Sequence, residues 1–172
     1  MDDGYGRIGF YRSDPRSILE LDALHVSKSL ARVIRKGTYE VRVDRNFEAV
    51  IRACADRNET WINAEIIRAF IEFHEAGKAH SVEAYREDEL VGGLYGVALG
   101  GAFMGESMFS RMRDASKVCL VYLVEHLKER GYVLLDCQIQ NEHLARLGAI
   151  EIPESVYLRR LEHALRLARS FV

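Results

Sequence analysis

Three extended runs follow one another between Ala79 and Glu106, and glycine and acidic turns separate them. In Ala79–Arg86, His80, Val82 and Ala84 alternate with Ser81, Glu83 and Tyr85, the two-residue repeat of a strand. Glu87-Asp88-Glu89 reads as a turn, Leu90–Leu99 as a second strand, Gly100-Gly101 as another turn and Ala102–Glu106 as a third strand. Successive hairpins make an antiparallel sheet, so any fold for this chain must be built around one.

The flanking segments are helical in period. Ser17–Lys36 has an apolar set at Ile18, Leu21, Leu24, Val26, Leu30, Val33 and Ile34, with Ser27–Lys36 its cleaner portion and Gly37 its stop. Tyr39–Asp44 alternates as a strand. Asn46 and Asn63 are placed to cap helices running to about Ala55 and Glu75. Ala115–Arg130 is a helix closed by Gly131, Tyr132–Gln138 a continuous apolar strand, Glu142–Leu147 a short helix and Glu154–Ser170 the last one. Residues 1–16 read as loop. The pattern predicts an α+β domain, a mixed sheet flanked by helices, with no linker or repeat dividing it.

Composition removes several functions. With 24 Lys+Arg against 26 Asp+Glu the formal net charge is −2, so overall basicity does not drive nucleic-acid binding. No apolar run reaches the roughly 20 residues of a membrane span. The start is acidic and unlike an export signal, and with an odd number of thiols the protein is expected in the reducing cytoplasm. Cys54, Cys119 and Cys137 form no CxxC pair, and His80, His126 and His143 lack metal-ligand spacing; no metal is expected.

Chemistry concentrates at four places. Asp136 and Gln138 lie two apart at the end of an apolar strand, which puts a carboxylate and an amide on one face, a pair suited to holding an amine. Glu106 follows the aromatic Phe103-Met104, and Met108 and Phe109 follow it. Arg111, Arg113, Ser116 and Lys117 surround the start of a long helix, where backbone N–H groups attract anions. Lys28, Arg32, Arg35 and Lys36 share one helix face, a local basic block suited to a phosphate backbone. Each has an ordinary reading too, as a strand end, a solvated turn or a solvated helix face.

Taken together, Gly105-Glu106-Ser107-Met108-Phe109-Ser110-Arg111, Ala115-Ser116-Lys117, Leu135-Asp136-Cys137-Gln138, Leu147-Gly148-Ala149 and Glu151-Ile152-Pro153 resemble the leucyl/phenylalanyl-tRNA–protein transferases. Thr60-Trp61-Ile62, Ala79-His80-Ser81-Val82-Glu83 and Gly92-Gly93-Leu94-Tyr95-Gly96 stand in the same order. The resemblance implies an acetyltransferase-like (GNAT-like) bacterial enzyme. Such an enzyme moves Leu or Phe, sometimes Met, from aminoacyl-tRNA to the amino terminus of proteins beginning with Arg or Lys, marking them for degradation. It implies no cofactor, because the aminoacyl ester is already activated, and a monomer with no membrane partner.

By the same resemblance Asp136 and Gln138 are the catalytic pair. Glu106 holds the acceptor's Arg or Lys together with Asp136. Met108, Phe103, Leu94 and Leu135 line the pocket for the transferred side chain, with Ser107 beside them, and Trp61 stacks on the terminal adenosine. Lys28, Arg32, Arg35 and Lys36, with Arg111 and Lys117, meet the tRNA phosphates. Family members usually carry a longer amino-terminal segment with an aromatic-Pro motif. Residues 1–16 therefore read as the remnant of that segment and 17–172 as a single catalytic domain. A CoA-dependent N-acetyltransferase of the same fold, and a non-catalytic binder of tRNA or protein N-termini, are the other readings. Arg111–Ser116 lacks the glycines with which a CoA enzyme holds pyrophosphate.

Overall fold

The computed structural model describes residues 12–172. The strands are β1 (Arg16–Leu19), β2 (Glu40–Val43), β3 (Ala79–Arg86), β4 (Glu89–Leu99), β5 (Ala102–Ser110), β6 (Leu134–Gln138) and β7 (Ile150–Ile152). The helices are α1 (Lys28–Arg35), α2 (Phe47–Ala55), α3 (Ala64–Glu75), α4 (Ala115–Glu129), α5 (Glu142–Arg146) and α6 (Glu154–Leu165). All the strands join one seven-stranded sheet in the order β2-β3-β4-β5-β6-β1-β7. Every neighbouring pair is antiparallel except β5 with β6, which α4 connects as a crossover. The layout is the α+β arrangement expected from the sequence, a mixed sheet flanked by helices.

Helices cover both faces because the strands are apolar on both. Leu94, Leu120, Leu123 and Leu135 share a core with α4, whereas the next residue after Leu94, Tyr95, belongs to a second core with α2 and α3. A third core gathers Ile18 and Leu134 with Tyr157 of α6. The caps are those read from sequence: Asn46 Oδ1 accepts from Ala49 N, Asn63 Oδ1 from Ile66 N, and Ser27 Oγ from Leu30 N. On β3, Glu83 is fully buried and accepts hydrogen bonds from Asn46 N, Ser81 Oγ and Tyr85 Oη at 2.8, 2.8 and 2.9 Å.

Several expectations are corrected. Residues 1–11 of the expected loop lie outside the described residues, but Arg16 already belongs to β1. The helical reading of Ser17 onward fails until Lys28, because Ile18 and Leu19 are buried on opposite faces of a strand held between β6 and β7. The third hairpin strand runs on to Ser110, the β6 strand starts at Leu134 rather than Tyr132, and α6 ends at Leu165. The three-residue β7 is too short to leave a period in the sequence.

Gly92 fixes how closely α4 approaches the sheet. A Cβ there would stand 2.5 Å from Ala115 Cβ and 3.1 Å from Ser116 N. Gly92→Ala is expected to destabilise the protein by about 1–3 kcal/mol, read by chemical denaturation, because the start of α4 must move to admit the methyl.

Candidate active site

β5 and β6 run parallel only from Ala102↔Leu134 to Met104↔Asp136, and β5 then continues to Ser110 without its neighbour. Where they part lies a cavity of about 340 Å³. Each strand carries a bulge at this point. In β5, Tyr95↔Ser107 is followed by Gly96↔Gly105, so Glu106 is the extra residue. In β6, Ser17↔Gln138 is followed by Ile18↔Asp136, so Cys137 is the extra one. A bulge re-aims side chains that a regular pleat would alternate. Glu106, Cys137 and Gln138 all line the cavity.

Asp136 is fully buried, and its carboxylate is fully engaged. Arg16 grips it with both arms: Nε donates to Oδ1 at 2.9 Å and Nη2 to Oδ2 at 2.6 Å. Tyr157 Oη donates to Oδ2 at 2.7 Å, and the Gln138 backbone N–H donates to Oδ1 at 2.8 Å. Burial works against the Arg16 charge, but Asp136 outweighs it and holds the guanidinium above its usual value. Burial first, and the Asp136 charge second, push the Tyr157 phenol up, so it remains a donor.

Gln138 has φ 64°, outside the extended region, so the same-face argument for Asp136 and Gln138 does not hold. The two are joined instead through the Gln138 main chain. The Gln138 side chain donates from Nε2 to Gly105 O at 3.0 Å, spanning the gap between the strands. Burial pushes the Glu106 carboxyl above the usual carboxylate range; a hydrogen bond with Gln138 opposes the rise and the nearby Asp136 charge adds to it. Among the described residues Glu106 makes no ion pair, so it is the cavity's uncompensated acid.

The remaining expected residues divide. Leu94, Met108, Leu135, Ser107 and Trp61 line the cavity. Phe103 does not: it lies where β5 is still paired with β6, opposite Leu135, and is fully buried in the core with α4, stacked 5.3 Å from Phe171. Lys28, Arg32 and Arg35 on α1, and Lys36 at its C-terminal cap, are all exposed and pair with no acid among the described residues. Arg111 is exposed, with its guanidinium 5.6 Å from the centre of the Phe109 ring. Lys117 is not a free cation, because its Nζ is 2.8 Å from Asp114 Oδ1. Asp114 stands at the start of α4, and Ser116 N–H donates to Ser110 Oγ, so the anion site expected there is occupied by the protein itself.

Sequence reasoning missed Arg57, Tyr95, Leu120, Leu123 and His143, all of which line the cavity. Arg57 Nη2 donates to Ser107 Oγ at 3.0 Å and to Met108 O at 2.6 Å, fastening the loop after α2 to the free edge of β5. Leu120 and Leu123 were legible as the buried face of α4; the loop arginine left no signal. Burial disfavours the thiolate at all three cysteines: it pushes Cys54 up to about 11 and Cys137 up to about 12, and raises Cys119 further. Among the described residues no group of three or more His, Cys, Asp or Glu could hold a metal.

The cavity thus sets a free acid and an amide against a wall of Leu94, Leu120, Leu123 and Leu135. The sequence family described as leucyl/phenylalanyl-tRNA protein transferase matches residues 18–162. The chain belongs to that family. A leucyl/phenylalanyl-tRNA–protein transferase of Rubrobacter xylanophilus is 74% identical over 167 residues, which is 96% of this chain and 87% of that relative. One from Gloeobacter violaceus is 54% identical over 172 residues, 99% of this chain and 89% of the relative. Among solved structures, a conserved protein of unknown function from Staphylococcus epidermidis aligns with a TM-score of 0.51 at 9% identity, over 81% of this chain and 57% of its own, a likeness of fold. The extra residues of both bulges, Glu106 and Cys137, and the parting of β5 from β6 fall within the residues matched to the transferase family.

The raised Glu106 pKa has a definite sign. The folded state binds the proton more tightly than the unfolded chain, whose carboxyl titrates near 4.5, so stability falls as pH rises from there through the folded value. Glu106→Gln is expected to gain stability relative to the parent over that interval, and to keep the gain above it. Denaturation at pH 4 and pH 8 checks this; an equal difference at both would show no coupling.

Proposed function

We propose that the protein transfers leucine or phenylalanine, sometimes methionine, from aminoacyl-tRNA to the α-amine of proteins that begin with Arg or Lys, marking them for degradation. The observation that carries this reading is the cavity between β5 and β6, where the uncompensated Glu106 and the bridging Gln138 face an apolar wall. An apolar side chain on an ester and a cationic residue with a free amine are the two halves such a cavity suits.

The acceptor nitrogen attacks the ester carbonyl, the bond from that carbon to the ribose oxygen breaks, and the amine proton leaves as the ribose hydroxyl forms. Gln138 orients the amine through its amide oxygen, since its Nε2 is tied to Gly105 O. Asp136, whose oxygens already accept from Arg16, Tyr157 and Gln138 N, holds that arrangement and steadies positive charge rather than acting as a free base. Glu106 takes the cationic side chain of the acceptor. Leu94, Leu135 and Met108 receive the transferred side chain, and Ser107 flanks it. Trp61 stacks on the terminal adenosine. The exposed face of Lys28, Arg32, Arg35 and Lys36, with Arg111 beyond the cavity, meets tRNA phosphates by charge without reading bases. The reaction takes place in the cytoplasm, among charged tRNAs, and among the described residues no helix is long and apolar enough to cross a membrane. The activated ester makes ATP, metal and CoA unnecessary.

The test is transfer of labelled phenylalanine from charged tRNA to a peptide beginning with Arg. Gln138→Ala is expected to lower kcat on the order of 10²-fold with little change in Tm; wild-type kcat in that variant would remove Gln138 from the chemistry. Arg32→Glu with Arg35→Glu is expected to raise KM for charged tRNA by roughly tenfold or more at low salt, leave kcat within about twofold, and flatten the salt dependence of KM.

A further inference from the structure

β5 loses its β6 neighbour after Met104 and yet runs on to Ser110. A strand edge without a neighbour presents main-chain groups that need partners. Arg111 N–H donates to Val91 O on β4 at 2.8 Å. Main-chain groups of successive residues point to alternate sides of a strand. Phe109 therefore turns its own toward β4, and Met108 turns its own toward the vacated edge.

Arg57 takes the place of the missing neighbour. Its Nη2 donates to Met108 O at 2.6 Å and to Ser107 Oγ at 3.0 Å. Ser107 and Met108 directly follow Glu106, the extra residue of the β5 bulge. The guanidinium thus pins the stretch of strand that begins where Glu106 is turned into the cavity.

The loop between α2 and α3 that supplies Arg57 also carries Trp61. Trp61 is half-buried against the core with α2 and α3, and Ile62 after it is buried. Thr60 Oγ1 accepts from Ile62 N, a bond within the loop. Among the described residues between Asp56 and Trp61, Arg57 is the one whose side chain is hydrogen-bonded to the sheet. Arg57, Trp61, Ser107 and Met108 all line the cavity. A single exposed arginine therefore ties one wall of the cavity to another, and its forked head can serve two acceptors at once.

Resting on the transferase reading, we propose that Arg57 is a positioning residue of the reaction. It fixes the spacing between Trp61 on the loop and Met108 on the edge of β5. It acts through those two side chains and touches neither the tRNA nor the acceptor protein.

Trp61 is the one tryptophan of the chain, so tryptophan emission reports this loop alone. In Arg57→Ala, acrylamide is expected to quench that emission about twofold more strongly than in the parent, because the loop opens locally. Tm is expected to stay within about 3 °C, since the lost bonds are exposed. Phenylalanyl-adenosine carries no phosphate and serves as the ester substrate, with a peptide beginning with Arg as acceptor. Its KM is expected to rise about tenfold in Arg57→Ala with kcat within about twofold, by the same factor at low and high salt. Arg52→Ala is the contrast: that exposed α2 arginine bonds to Glu48 of its own helix, and its loss is expected to move neither quenching nor KM.

Parental quenching or a parental KM in Arg57→Ala overturns the proposal, as does an equal change in Arg52→Ala or a larger loss of Tm. A KM change confined to whole charged tRNA and lost at high salt makes Arg57 a phosphate contact, and overturns it too. A parent that transfers phenylalanine from neither substrate overturns the transferase reading and the role resting on it; the quenching needs no substrate and still decides the tether.

Discussion

The buried ion pair between Arg16 and Asp136 is the interaction on which the rest of the site depends. It joins residues 120 apart in sequence and seats β1 against β6. Tyr157 completes it from α6. A carboxylate with no exposed surface is tolerable only when its charge is matched and its oxygens are bonded, and here four donors do so. One of those donors is the Gln138 main chain. The same carboxylate therefore fixes the left-handed turn of Gln138 that ends the strand, and with it the reach of the Gln138 amide to Gly105.

Two acids close together have been given different tasks by their surroundings. Asp136 is compensated by Arg16 and acts as an organiser of backbone and side chains. Glu106 is turned into the cavity by a bulge, has no cationic partner among the described residues, and is raised by burial. An incoming cation would find its counter-charge there and nowhere else among the cavity's acids. Divergent environments for adjacent carboxyls are a usual way for one site to separate structural from reactive duties.

Much of this was written plainly in the sequence. The Gly-rich turns gave the hairpins, Asn46 and Asn63 announced their helices, and the Glu106, Asp136 and Gln138 motifs pointed to the site. What stayed hidden depends on partners distant in the chain. Arg16–Leu19 has a buried residue on each face, and so short a run is indistinguishable from part of a helix until β6 and β7 flank it. The bulges at Glu106 and Cys137 exist only relative to the strands opposite them. Phe103 reads as well for a pocket as Met108 does, and only the point at which β6 leaves β5 separates them. The acid at Asp114 neutralises Lys117 through a left-handed residue that the sequence gives no reason to expect.

The parting of β5 and β6 occurs between strands that are each secured on their outer side: β5 remains bonded to β4 as far as Ser110, and β6 to β1 as far as Gln138. The walls of the gap are thus shored from behind and need no occupant to keep them apart. A molecule entering it meets a ready-made slot rather than one it must pry open, so shape rather than induced movement decides which aminoacyl groups are admitted.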